Sequence, residues 1–109
     1  MAQKKKLIIG NWKMNPATSA LAALIFKKIQ KGTADLTKAQ AIVCPPYVYL
    51  ETLSRLEPSS KKVTKKKIAK LPVKNSAKVL LGAQNLNPEP LGARTGEISG
   101  ELLKQFNVN

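Results

Sequence analysis

Histidine is absent from this 109-residue chain, and cysteine occurs only once, at Cys44. A single thiol cannot form an intramolecular disulfide, which agrees with a reducing compartment. With no imidazole to act as base, Cys44 is a poor candidate nucleophile and reads as a small core residue at a buried strand end. One cysteine and no histidine also exclude a Cys/His zinc cluster, so no metal site is expected. Long apolar runs are missing as well. Nothing approaches the ~18 residues of a membrane span. The run Leu7-Ile8-Ile9, after Lys4-Lys5-Lys6, is far below the roughly 7–15 residues of a signal-peptide core. A cytoplasmic chain without a membrane partner is the expectation. Gly92 and Gly96 do not give the glycine spacing of a phosphate-cradling or dinucleotide-binding loop, so no cofactor is implied.

Acidic residues are scarce: six Asp and Glu face nineteen Lys and Arg, for a net charge of +13. Eight of those lysines, with no acid among them, lie between Lys61 and Lys78. Most of the excess charge therefore belongs to one segment. Such a run attracts nucleic acid or an anionic surface. It contains no aromatic residue to stack on bases and no arginine for bidentate base contacts. A solvated lysine-rich insertion between a helix and the next strand accounts for it better, which disfavours a nucleic-acid partner.

The remaining chain alternates strand and helix signals. Lys6 to Gly10 reads as a buried first strand closed by glycine. Asn15 followed by Pro16 resembles a helix start, with Leu21, Leu24, Ile25 and Ile29 as the apolar stripe and Gly32 as the stop. Ala41 to Cys44 reads as strand two, ended by Pro45-Pro46. Tyr49, Leu53 and Leu56 give helix two its apolar face, and Pro58 closes it. Val79 to Ala83 reads as strand three. The loop from Leu86 to Gly96 is long enough to suggest function. Ser99 then caps a third helix, with Glu101 in its first turn and Ile98, Leu102 and Phe106 on its buried face. Alternating strands and helices predict an α/β fold with a parallel sheet. The polar residues that follow strands one and three, among them Asn11, Lys13, Gln84 and Asn85, would sit at the carboxyl ends, where such folds place ligands. Asn11 and Lys13, two residues apart on one strand end, suit an anionic, oxygen-rich substrate, while the residues by themselves fit a lysine that merely caps a solvent-facing loop better.

Three blocks carry a more specific signal. They are LIIGNWKMN (Leu7–Asn15), AIVCPPYVYLETL (Ala41–Leu53) and LGAQNLNPEPLGARTGEISGELLK (Leu81–Lys104). In this order they resemble the opening of the triosephosphate isomerase family. The resemblance implies the amino-terminal part of a (β/α)8 TIM barrel, roughly three strand-helix units, as one partial domain over residues 1–109 with the lysine-rich insertion at about 59–78. A complete barrel typically takes about 250 residues. Three units cannot close one, so strand three would be left as an unpaired edge and the isolated chain is expected to be poorly folded or aggregation-prone.

The resemblance also implies an enzyme that interconverts dihydroxyacetone phosphate and glyceraldehyde 3-phosphate through an enediol. Proton removal beside a carbonyl needs a base, an electrophile and fixed positive charge. The family is itself a standard illustration of this chemistry, with a glutamate base, a neutral histidine and a closing loop. By resemblance, Lys13 is the catalytic lysine and Asn11 the substrate-contacting asparagine. Thr95 and Glu97 belong to a loop that enters the partner subunit of a homodimer, and Gln84 and Asn85 support it. Arg94 departs from the aromatic residue usual before that threonine. The electrophilic histidine is missing, and none of Glu51, Glu57, Glu89, Glu97 or Glu101 occupies the motif of the base. The 109 residues alone are therefore expected to be inactive. Two other readings stay open, a small basic nucleic-acid-binding protein and a non-catalytic barrel remnant.

Overall fold

The fold was obtained as a computed structural model, which describes residues 4–56 and 79–109. The lysine-rich segment and the Pro58 stop expected for helix two lie outside the described residues. Element order is β1 (Lys6–Asn11), α1 (Ser19–Gly32), β2 (Ala39–Cys44), α2 (Tyr47–Ser54), β3 (Leu80–Leu81) and α3 (Gly100–Lys104). The strands form one parallel sheet in the order β1-β2-β3. The β1–β2 register runs from Lys6 opposite Ala39 to Asn11 opposite Cys44, and Val43 lies opposite Leu81 in β3. This register brings the three strand ends level, so the polar residues after β1 and β3 meet at the end of β2.

α1 starts three residues later than Asn15-Pro16 had suggested. Thr18 is the cap: its backbone is extended, and its hydroxyl accepts from the Leu21 N–H at 3.1 Å. A hydroxyl there satisfies one of the orphan donors of the first turn, which Asn15 is too far upstream to do. The buried stripe also differs from expectation. Ala22 and Phe26 are fully buried and Ile29 packs partly against the core, while Leu21 and Leu24 remain exposed. α1 packs on α2, so only the flank turned toward that helix is covered. The flank carrying Leu21 and Leu24 has no such neighbour among the described residues.

α2 buries Tyr49 and Leu53 as expected, with Leu50 in addition, while Leu56 lies past the helix end and packs only partly against the core. The Tyr49 hydroxyl donates to the Pro16 carbonyl at 2.5 Å, tying the helix to the segment that follows β1. The Gln30 amide of α1 donates to the Leu56 carbonyl at 3.0 Å, satisfying a carbonyl just past the end of α2. Phe26, Leu50, Leu53, Val79 and Leu81 are the large side chains that fill the core between sheet and helices. In α3, capped by the Ser99 hydroxyl as expected, Leu103 is the buried residue and Leu102 is 39% exposed. The stripe is displaced by one residue because Leu103, with Ile98 and Phe106, is the side that meets the core.

Two expectations about the sheet are reversed. Strand three is not a bare edge: Leu81 forms a parallel bridge with Val108, and the Asn109 N–H donates to the Leu81 carbonyl at 2.9 Å. A fourth strand position thus begins at Val108. Among the described residues β1 is the open edge instead, and its run Leu7, Ile8 and Ile9 is 58–63% exposed rather than buried. Side chains alternate across a strand, so exposure of consecutive residues means that both faces are uncovered. The Lys6 and Trp12 N–H groups point to β2, donating to Lys38 and Cys44. By alternation, the backbone groups of Leu7, Ile9 and Asn11 face the open side.

An apolar strand with a free hydrogen-bonding edge is a template for pairing with another chain. In sedimentation velocity, the 109-residue chain should associate in a concentration-dependent way, and Ile9→Lys should suppress it. A monodisperse monomer across the micromolar range would contradict this account of the edge.

Candidate active site

At the carboxyl end of β1 the chain makes a tight turn through Asn11, Trp12 and Lys13. Lys13 adopts φ 58°, in the left-handed region. For a residue with a Cβ this conformation costs about 1–3 kcal/mol and persists only where its surroundings hold it. They do so at both backbone groups. The Lys13 N–H donates to Asn11 Oδ1 at 2.8 Å, and the Lys13 carbonyl accepts from Gln84 Nε2, also at 2.8 Å. The Asn15 amide further braces the turn by donating to the Trp12 carbonyl at 3.2 Å.

Gln84 follows β3, and its amide nitrogen donates a second bond to the Cys44 carbonyl at 2.9 Å, at the end of β2. That carbonyl also accepts from the Trp12 N–H at 3.0 Å. One side-chain amide thus joins the carboxyl ends of all three strands. Side-chain donors at strand ends can satisfy carbonyls that the ladder leaves over, and a primary amide has two hydrogens to give.

The Lys13 side chain is exposed. Among the described residues the ion pair found joins Arg55 and Glu51, so the Lys13 ammonium has no carboxylate partner there. Asn11 has committed its oxygen to the Lys13 N–H, which leaves its amide hydrogens without a protein acceptor among the described residues. An unpaired cation and a free amide donor, fixed on one turn, can bind an anion bearing additional oxygens.

Of the residues singled out from sequence, Asn11, Lys13 and Gln84 come together directly. Asn85 and Glu97 form a second neighbourhood. The Tyr47 hydroxyl donates to Asn85, whose backbone carbonyl and Oδ1 both lie within reach. Burial pushes the Tyr47 phenol above its ordinary pKa, the Glu97 carboxylate adds to this, and the bond to Asn85 opposes it. Glu97 accepts from the Asn87 amide at 3.3 Å, and Asn87 and Ser99 bridge across the base of the loop. Thr95 is exposed. Tyr47 and Asn87 escaped the sequence reading. A tyrosine directly after Pro45-Pro46, hence beside the strand ends, was the available signal.

Cys44 sits behind the site. It is buried as expected, with its Sγ toward Gly82: a Cβ placed on Gly82 would lie 2.7 Å from it. A side chain at Gly82 would therefore force the Cys44 sulfur to move. Among the described residues no cluster of His, Cys, Asp and Glu could hold a metal, and no helix is long and apolar enough to cross a membrane.

A parallel sheet flanked by helices, with polar residues collected at the carboxyl ends of its strands, marks an α/β protein and fits part of an α/β barrel. The triosephosphate isomerase family model matches residues 6–109, and the chain belongs to that family. A triosephosphate isomerase from Shewanella frigidimarina is 39% identical over 104 residues, covering 95% of this chain and 35% of that protein. One from Shewanella amazonensis is 38% identical with the same coverage. The crystal structure of triosephosphate isomerase from Bartonella henselae matches with a TM-score of 0.65 at 28% identity, over 95% of this chain and 35% of that one. The chain thus spans about a third of the length of the relatives it matches.

Burial also pushes the Cys44 thiol above its ordinary pKa of 9.0. The folded state therefore holds that proton more tightly than the unfolded state. The thiol's contribution to stability is whole below the ordinary value and is lost as pH rises from there through the raised folded value. A neutral thiol reagent should accordingly label Cys44 about tenfold or more slowly in the folded chain than in urea, because access requires opening. Equal labelling rates would place the thiol on the surface.

Proposed function

We propose that this chain supplies the substrate-holding amino-terminal part of a triosephosphate isomerase, which interconverts dihydroxyacetone phosphate and glyceraldehyde 3-phosphate. It would form one partial-barrel unit over residues 1–109, with the lysine-rich segment at about 59–78 as an insertion. The observation that carries this reading is the Asn11–Lys13 turn at the carboxyl end of the sheet, with Lys13 held in a left-handed conformation and, among the described residues, no partner for its ammonium or for the Asn11 amide hydrogens.

In the proposed reaction a carboxylate takes a proton from the carbon beside the carbonyl, and negative charge develops on oxygen. The proton returns to the neighbouring carbon. Lys13 would stabilise the substrate's negative charge, and Asn11 would donate to a substrate oxygen. Both groups are in place before the charge develops, so neither has to reorganise as it appears. Arginine would be a poor substitute for Lys13, since its planar fork reaches differently from a point-like ammonium.

Solvent exposure decides how far these residues act alone. A unit charge pair at 4 Å is worth roughly 1 kcal/mol in water but about 4 kcal/mol at an effective dielectric near 20. Lys13 is exposed in this chain, so its hold on an anion is the weak, screened kind. With no histidine, and with no glutamate in the place of the base, the chain also lacks the groups that would move the proton. The exposed Thr95–Glu97 loop would meet a second subunit, giving a homodimer, and the setting would be cytoplasmic. Asn85, through Tyr47, would support the base of that loop.

The purified 109-residue chain should show no isomerisation. A hybrid that joins it to the remaining two thirds of the Shewanella frigidimarina protein should turn over. In the hybrid, Lys13→Ala should lower kcat/KM by about 10²–10³, the loss typical when one preorganised charge-stabilising group is removed. Turnover by the 109 residues alone, abolished by Lys13→Ala, would refute the division of labour. A hybrid indifferent to Lys13→Ala would refute the role of Lys13.

A further inference from the structure

The paired hydrogen bonds of Gln84 have a role beyond cross-linking strands. We infer that Gln84 is the positioning residue for Lys13: its amide holds the Lys13 backbone in the left-handed conformation that aims the ammonium. This rests on the reading of Lys13 as a substrate contact.

Three observations converge. Lys13 is one of only two non-glycine residues with positive φ among those described, so its conformation is imposed rather than intrinsic. Its N–H is satisfied locally, by Asn11 two residues earlier, and that bond alone ties the turn only to itself. Its carbonyl is satisfied by a residue 71 positions away in sequence, on a different strand end. Gln84 therefore supplies the long-range restraint on the Lys13 carbonyl.

The amide is itself fixed. One hydrogen goes to Lys13 and the other to Cys44, whose carbonyl belongs to the buried end of β2. Turning the amide over would set its oxygen against two carbonyl oxygens, so the arrangement has a single sense. The orientation of Lys13 is in this way referred to the rigid core rather than to its own flexible turn. Gln84→Met keeps the length of the side chain and removes both donors. Gln84→Glu keeps the shape but places acceptors against two acceptors, so it should be the more damaging of the two.

The test uses the hybrid with Gln84→Met, alone and combined with Lys13→Ala. Gln84→Met should lower kcat/KM by roughly ten- to a hundredfold, as small misplacements of a catalytic group do. It should cause no further loss once Lys13 is alanine, because Gln84 acts through that side chain. Losses that simply multiply would show a general structural role and overturn the proposal. A crystal structure of the Gln84→Met hybrid gives a readout that needs no turnover: Lys13 should leave the left-handed region. Lys13 still near φ 58° would likewise overturn it. The two readings fail separately. Unchanged turnover in Lys13→Ala sinks the substrate contact, whereas an unmoved Lys13 backbone sinks the positioning role. If Gln84→Met folds poorly, adding Lys13→Gly decides the matter, since glycine takes positive φ freely. Folding restored by that glycine supports the restraint, and folding not restored contradicts it.

Discussion

The amide of Gln84, shared between the carbonyls of Lys13 and Cys44, is the contact on which the site depends. β1 and β3 are followed by polar residues and β2 by Pro45-Pro46, which cannot continue the parallel ladder. Gathering three ends on one donor turns them into a single surface. The register makes this possible: Asn11 lies opposite Cys44 and Val43 opposite Leu81, so the residues after each strand emerge at one level. Gly82, lacking a side chain, leaves room there for the Cys44 sulfur.

The sheet explains both what the chain can hold and what it leaves open. Its core is one cluster in which Ala22 and Phe26 of α1 join Val43, Leu50, Leu53, Leu81 and Leu103. β1 pairs with β2 on one side only, and its apolar residues are exposed. The site turn is therefore anchored on its inner flank, through Trp12, Gln84 and the Tyr49 bond to Pro16, and open on its outer one. An exposed Lys13 follows from the same geometry as an exposed Ile8.

Much of this was legible in the residues. The strand-helix order, the Ser99 cap, the apolar face of α2 and the buried place of Cys44 each depend on local chemistry, and local chemistry is what a sequence carries. Where the reading failed, a neighbour decided the outcome. α1 has apolar residues around much of its circumference, and contact with α2 selected Ala22 and Phe26 over Leu21 and Leu24. Asn15-Pro16 has the composition of a helix start, yet Thr18 alone stands where its hydroxyl meets the Leu21 N–H. Leu7 to Ile9 has the composition of a buried strand, but burial depends on a flanking partner that the run itself does not specify. At the site, the family resemblance singled out Asn11 and Lys13, which lie on one turn. That Gln84 holds the Lys13 turn was not evident, because 71 residues separate them.

The central claim is that the Asn11–Lys13 turn grips a phosphorylated triose, and a crystal structure of the hybrid soaked with dihydroxyacetone phosphate tests it most directly. The account predicts the Lys13 ammonium and the Asn11 amide nitrogen each within hydrogen-bonding reach of substrate oxygens, at about 3 Å. Lys13 should stay in its left-handed conformation, with Gln84 still on its carbonyl. A substrate bound elsewhere, or one bound while Lys13 points into solvent, would contradict the account.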